Sequence, residues 1–290
     1  MTKVAILGAQ GFLGMPIATA LKANGFDVVT FSRSGIINPS DSEIEADLFN
    51  IESLRIGLSK SKPDVVISTA WDTEHGKFWT SELNSKYQEA TLKFAEVSFE
   101  LGVRVFLGLG TMSEYGTNPG ICNADISPLV PVDVYSKAKI ETGVELERIG
   151  AAFNRKTNWL RVFQAFGPSE KSERFIPGLI STLREGKPFS IRTPNYEMDW
   201  IHTSDIASAV LFTLKNELNH FVDVGTGIAT SVKNLSELVC SELELDIRLL
   251  DYSGQIPGHQ KKAVVDPGTQ LLSLGWSPAE SLKSRVRSLR

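Results

Sequence analysis

Tyr135 and Lys139 stand four residues apart in "VYSKAK", residues 134–139. Four residues is about one turn of an α-helix, so on a helix the phenol and the ammonium project side by side from one face. A weak acid beside a fixed positive charge suits a step in which a proton moves and negative charge develops on oxygen. The same interval also suits a solvated surface pair, so alone it assigns nothing.

A second cluster lies near the N-terminus. "GAQGFLG" sets Gly8, Gly11 and Gly14 three apart, with Phe12 and Leu13 between the last two, directly after an apolar run. Between a strand and a helix, such glycines permit a tight turn, a close approach of backbone to a pyrophosphate and close packing of helix on sheet. The helix N-terminus then offers unpaired N–H groups and a partial positive charge to the phosphates. The next apolar run ends in "TFSRS", with Ser32 and Arg33 where an NAD site carries Asp or Glu for the adenosine ribose. A guanidinium flanked by the hydroxyls of Ser32 and Ser34 matches a 2′-phosphate instead. NADP(H) is therefore favoured as cofactor, with NAD(H) as the alternative. Farther on, "EADLFN" places Asp47 and Leu48 where a carboxylate can accept from an adenine amino group.

The elements that must position these residues follow from the apolar pattern. Runs at 4–8, 27–32, 64–70 and 103–109 are short, rich in β-branched residues and bounded by Gly, Pro or polar residues, and stretches of helical spacing at 17–23 and 83–101 separate them. Residues 157–163 and 220–225 read as further strands. Continuous apolar strands alternating with helices predict a doubly wound α/β protein whose parallel sheet is covered on both faces.

Composition bounds the rest. A chain of 290 residues, 42% hydrophobic and 22% charged, is long enough for one large domain or two lobes. A net charge of −4 provides no electrostatic footprint for nucleic acid or an anionic membrane. Two cysteines, Cys122 and Cys240, make no disulfide framework, and no Cys/His spacing predicts a metal site. There is no run of 18 apolar residues and no signal-peptide pattern at "MTKVAILGAQ", so a soluble, cytoplasmic protein is expected. The P-loop pattern and the Gly-x-Ser-x-Gly nucleophile elbow are both absent.

With the glycine turn first and the Tyr135/Lys139 pair after the fourth of those runs, the chain resembles the extended branch of the short-chain dehydrogenase/reductase superfamily, the NAD(P)-dependent nucleotide-sugar epimerases, dehydratases and reductases. Ordered landmarks carry the resemblance: "STAW", "GLGTMSEYG", "RVFQAFGP", "RFIPGLI", "MDWIHTSDIASAV" and "DPGTQLLSLGWSP". It implies a Rossmann-type sheet with a smaller C-terminal substrate-binding lobe: residues 1–166 for the dinucleotide, with 198–225 returning to that domain, and 167–290 mainly for substrate. It also implies Thr111, Tyr135 and Lys139 as the catalytic residues. Thr69 and Ala70 join Gly8, Gly11, Phe12, Leu13, Gly14, Ser32, Arg33, Asp47, Leu48, Tyr135 and Lys139 at the cofactor. Trp71, Thr111, Gln164 and Arg174 contact substrate. A free phenol with a pKa near 10 is about three units out of range as a base at neutral pH, roughly 4 kcal/mol, and Lys139 is expected to draw it down.

Departures from the family pattern narrow the reaction. Met198 and Ile256 stand where relatives carry diphosphate-binding arginines, leaving Arg174, Lys261 or Lys262 to compensate. Dehydratases follow the catalytic Thr with Asp and Glu; here Met112 and Ser113 follow Thr111, and Glu114 comes one place late. The expected activity is reduction of a keto group on a nucleotide-linked deoxysugar. The alternatives are a 4-epimerase with bound NAD and a non-catalytic dinucleotide-binding sensor. The apolar faces of 83–101 and of the helix bearing Tyr135 fit a homodimer, and equally well core burial.

Overall fold

Alternation along the first strand shows how the sheet is covered. In β1 (Lys3–Leu7), Val4 and Ile6 face one layer of core while Ala5 and Leu7 face the other, all four buried. The computed structural model describes residues 1–33, 42–216, 218, 220–256 and 261–290. Ser34, one of the expected phosphate contacts, lies outside the described residues.

After β1 come α1 (Gly14–Ala23), β2 (Asp27–Ser32), β3 (Glu43–Glu45), α2 (Ile51–Ser61) and β4 (Val65–Ser68). Next are α3 (Leu83–Glu100), β5 (Val105–Thr111), a 3-10 turn at Met112–Tyr115, β6 (Gly120–Cys122), α4 (Val134–Phe153), β7 (Lys156–Val162) and β8 (Gln164–Phe166). The remainder is α5 (Phe175–Arg184), β9 (Phe189–Ser190), β10 (Glu197–His202), α6 (Thr203–Asn216), β11 (Phe221–Val224), β12 (Ala229–Ser231), α7 (Val232–Leu243), β13 (Leu250–Asp251), β14 (Lys262–Val265), α8 (Gln270–Ser273) and α9 (Leu282–Arg287).

The large sheet has seven parallel strands in the order β11-β7-β5-β4-β1-β2-β3. This is the expected α/β class, a doubly wound Rossmann-type sheet. Helices α1 and α6 cover one face through Ile17, Leu21, Ile206 and Val210. Helices α2, α3 and α4 cover the other through Leu54, Leu58, Phe94 and Leu146. Strand order reverses between β1 and β4, so a crevice opens at their carboxyl ends, where open α/β sheets hold ligands.

A smaller sheet, β12-β10-β14-β6 with β8 beside β10, anchors a separate core with α5 and α7. Its strands come from far apart in the chain. Gly120–Cys122 belongs to it, as does Glu197–His202, whereas α6 and β11 pack with the large sheet. Trp276, after α8, also packs with the large sheet's core. Cys122 and Cys240 are free and buried. Among the described residues no helix is long and apolar enough to cross a membrane, and no His/Cys/Asp/Glu group could hold a metal ion.

Candidate active site

Helix α4 carries Tyr135 and Lys139, and a cap sets its start. Asp133 accepts from Ser136 N at 2.7 Å, while Asp133 N donates to Ser136 Oγ at 3.2 Å, closing a capping box. Tyr135 is therefore in the first turn and Lys139 in the next, on the face turned to β5. Their close approach to the sheet depends on glycine. A Cβ at Gly108, Gly110 or Gly143 would come within 2.5–2.8 Å of the Trp159 ring, so the indole fits between β5 and α4 only because those side chains are missing. Lys139 Nζ then reaches the Leu109 carbonyl at 2.8 Å.

Three rings surround that ammonium: Trp71 at 3.7 Å from Nζ to centroid, Trp159 at 5.4 Å and Tyr135 at 5.8 Å. Burial pushes Lys139 down to about 7. Tyr135 moves the opposite way. Burial raises its pKa above the ordinary phenol value, while the Thr111 side chain and the charge of Arg174 pull it down. Desolvation of the phenol outweighs the neighbouring groups that lower it. Phe78 and Trp79 pack edge-on against the Tyr135 ring at 4.8 and 5.5 Å, and Tyr135 N donates to the Trp79 carbonyl.

Thr111 ends β5, where its N donates to Glu114 Oε1 at 2.9 Å. Glu114 is fully buried. It also accepts from Trp159 Nε1 at 3.0 Å and from Arg161 Nε at 2.7 Å, and Arg161 and Tyr115 lead on to Asp223. The carboxylate thus ties β5 to β7, and its two oxygens are taken up by Thr111, Trp159 and Arg161. Arg161, in a matching landmark, is likewise an internal ion-pair partner. Asp199 and Asp205 hold loops: Asp199 accepts from Thr226 and Gly227 N, and Asp205 pairs with Arg285 at 2.6 Å.

At the carboxyl ends of β1, β2 and β4 lies a cleft of about 360 Å³. Gly8, Gly11, Ser32, Arg33, Asp47, Leu48, Thr69 and Ala70 line it, and so does Trp71. Phe12, Leu13 and Gly14 follow Gly11 in the chain, where α1 begins without a side-chain cap, Met15 N donates to the Gly11 carbonyl at 3.1 Å and Pro16 has no N–H to offer. Gly8 has φ +84°, and a Cβ there would meet Thr69 Oγ1 at 2.6 Å. The Thr69 hydroxyl is engaged by the turn itself, donating toward the Leu7 and Gly8 carbonyls. Asp47 Oδ1 accepts from Phe49 N at 3.0 Å, fixing the carboxyl at the wall. A bare glycine turn, an uncapped helix start and a continuous cleft fit a dinucleotide. Thr69, Ala70 and Trp71 also line a separate small void of about 10 Å³ that reaches Lys139, so the same strand end borders both clusters read from the sequence.

Trp71, expected at the substrate, lies on Lys139 and lines the cleft, donating to Asn84 Oδ1 at 2.9 Å. Gln164 sits on β8 opposite Trp200, with no hydrogen bond to Thr111, Tyr135 or Lys139 among the described residues. Arg174 precedes α5, 3.8 Å from Glu170. Met198 is buried in the smaller core, and Lys262 pairs with Glu197 at 3.3 Å. Cleft residues without a sequence signal are Phe49 and Tyr87, which reach the wall through an edge contact and a stack on Trp71. Gln10 stood inside the glycine motif and was legible there.

A family model described as NAD dependent epimerase/dehydratase matches residues 4–225. Among curated proteins, a dTDP-6-deoxy-L-talose 4-dehydrogenase (NAD(P)(+)) of Kitasatospora kifunensis is 25% identical, covering 99% of this chain and 94% of its own. A CDP-abequose synthase of Salmonella muenchen is 21% identical over 99% of this chain and 96% of its own. Among solved structures, a UDP-glucose 4-epimerase of Thermotoga maritima with UDP-glucose superposes with a TM-score of 0.86 at 21% identity, covering 99% and 97% of the two chains.

Proposed function

We propose that this chain, which belongs to the NAD dependent epimerase/dehydratase family and is an enzyme of the extended short-chain dehydrogenase/reductase type, reduces a keto group on a nucleotide-linked deoxysugar. The observation that carries the reading is the pairing of the Thr111 side chain with Tyr135, with Glu114 withdrawn into an ion pair with Arg161. Elimination of water needs a carboxyl acid–base pair facing the sugar, and the carboxyl nearest Thr111 in sequence is committed elsewhere. Likeness to a sugar-nucleotide 4-dehydrogenase over nearly the whole chain supports net redox chemistry.

Gly8 and Gly11 would receive the pyrophosphate at the uncapped start of α1, Asp47 and Leu48 the adenine, and Lys139 the nicotinamide ribose once Trp71 yields its place. When bound, the nicotinamide dinucleotide supplies hydride to the carbonyl carbon. The chain handles the proton. Thr111 holds the substrate oxygen against Tyr135, and the Tyr135 hydroxyl donates its proton as negative charge develops there. A raised phenol pKa suits this direction, because it keeps the donor protonated at neutral pH. The positive charge of Arg174 lies close enough to act on Tyr135 and is the cation left to meet the substrate's phosphates.

A 4-epimerase that retains NAD is the second reading, favoured by the Glu43 carboxylate beside the cleft. The test is a panel of nucleotide-linked 4-keto-6-deoxysugars mixed with NADH or NADPH. Loss of reduced-nicotinamide absorbance with formation of a 4-hydroxy product is expected. Interconversion of 4-epimers at constant cofactor would replace reduction by epimerisation.

A further inference from the structure

Beside the cleft stands a carboxylate that no motif announces. Glu43 opens β3, the edge strand of the large sheet, in register with Thr30. Its Oε1 accepts from Ser32 Oγ at 3.1 Å and from Gln10 Nε2 at 3.2 Å. Ser32 closes β2 and Gln10 lies within the glycine turn, and both line the cleft. One carboxylate oxygen from the neighbouring strand thus joins the end of β2 to the phosphate turn. The end of β2 itself lacks the acid that receives adenosine ribose hydroxyls in an NAD site.

Arg33 argues for a 2′-phosphate and Glu43 argues against one, so their surroundings decide. Arg33 is exposed beside Tyr87, where solvent and salt screen its attraction. Glu43 is half-buried, bonded to a Ser32 that is 8% exposed, and its charge is screened less. Among the described residues, Ser32 and Gln10 are the neutral donors at that end of the cleft, and both already donate to the carboxylate. Seating a phosphate would break those bonds or set two anions side by side. A ribose hydroxyl, being a donor, can instead give to Glu43 without displacing either.

We propose that Glu43 determines which dinucleotide is held: its carboxylate accepts from the adenosine ribose and excludes a 2′-phosphate, so the chain prefers NAD(H) over NADP(H) despite Arg33. The inference rests on the dinucleotide-binding part of the proposed function and is independent of the sugar.

Titration of NADH and NADPH into substrate-free protein, followed by nicotinamide fluorescence, tests it in the wild type, Glu43→Gln and Arg33→Ala. Glutamine keeps an acceptor oxygen for Ser32 and Gln10, removes the charge and turns the other oxygen into an N–H donor, to which a ribose hydroxyl can still bond as acceptor. The wild type should bind NADH about tenfold or more tighter than NADPH, and Glu43→Gln should strengthen NADPH binding by about tenfold while NADH stays within about threefold. Retained NADH affinity shows that the variant is folded. In Arg33→Ala the preference for NADH should persist. A wild type that prefers NADPH, or a ratio unmoved by Glu43→Gln, overturns the proposal. Failure of both cofactors to bind overturns it together with the dinucleotide reading, whereas a sugar screen without turnover leaves it untouched.

Discussion

Replacing Tyr135 by Phe deletes one hydroxyl and leaves the ring against Phe78 and Trp79. Turnover should fall by about 10²–10⁴-fold while NADH affinity changes little, because the cleft and Lys139 are intact. Wild-type turnover in Tyr135→Phe, with chemistry rate-limiting, would remove the phenol from the mechanism. Thr111→Val should cost less, since it removes orientation rather than the proton. Lys139 makes a different prediction. Folded, it loses its proton near pH 7; unfolded, near its ordinary 10.5. Between those values the unfolded chain binds more protons, so stability rises with pH, and below pH 7 the full burial penalty applies, on the order of 5 kcal/mol. Lys139→Met, of similar length and without charge, should therefore melt higher than the wild type at pH 7, the gap closing toward pH 10, while turnover is lost. A lower melting temperature at pH 7 would mean that the bond to the Leu109 carbonyl and the indole faces outweigh desolvation.

Between elements, the site depends on the spacing of α4 from β5. Gly143 touches Trp159, and Trp159 in turn bonds Glu114, so a methyl at position 143 pushes the helix bearing Tyr135 and Lys139 away from Thr111. Gly143→Ala should destabilise by about 1–3 kcal/mol through overpacking and lower kcat more than it raises KM, read from urea unfolding and steady-state kinetics. The Glu114–Arg161 pair joins β5 to β7 with both side chains no more than 2% exposed. Arg161→Met leaves an uncompensated carboxylate in the core and should lose about 3–5 kcal/mol. An unchanged unfolding midpoint in that variant would mean that the pair does not hold the strands.

At the scale of the molecule, the proposed substrate site lies between the large sheet and the smaller lobe. Tyr135 projects from the large sheet's helix, and Arg174 faces it from the start of α5 in the smaller lobe. Arg174→Ala should therefore raise KM for a nucleotide-linked sugar about tenfold and leave NADH affinity unchanged, because the two ligands enter from different lobes. Equal KM values for variant and wild type would place the phosphates elsewhere.

The local part of this protein was legible before any coordinates. Strand runs buried on both faces, three glycines at a strand–helix turn and a phenol one turn from an ammonium are neighbours along the chain, and covalent geometry alone brings each set together. The run at 27–32 became β2 with the same bounds, and the cleft lies where the glycine turn required. What stayed hidden depends on groups distant in sequence. Glu43 reaches Ser32 only because β3 pairs beside β2, and its strand is too short and polar to announce itself. Glu114, read as a misplaced acid, is drawn inward by an arginine 47 residues away. Trp71 lies on Lys139, 68 residues on, because their loop and helix pack on the same strands. The smaller sheet gathers β6, β10, β12 and β14 from across half the chain. Charge and burial at those meeting points set the surroundings of Tyr135, Lys139 and the end of β2, and only the packed structure supplies them.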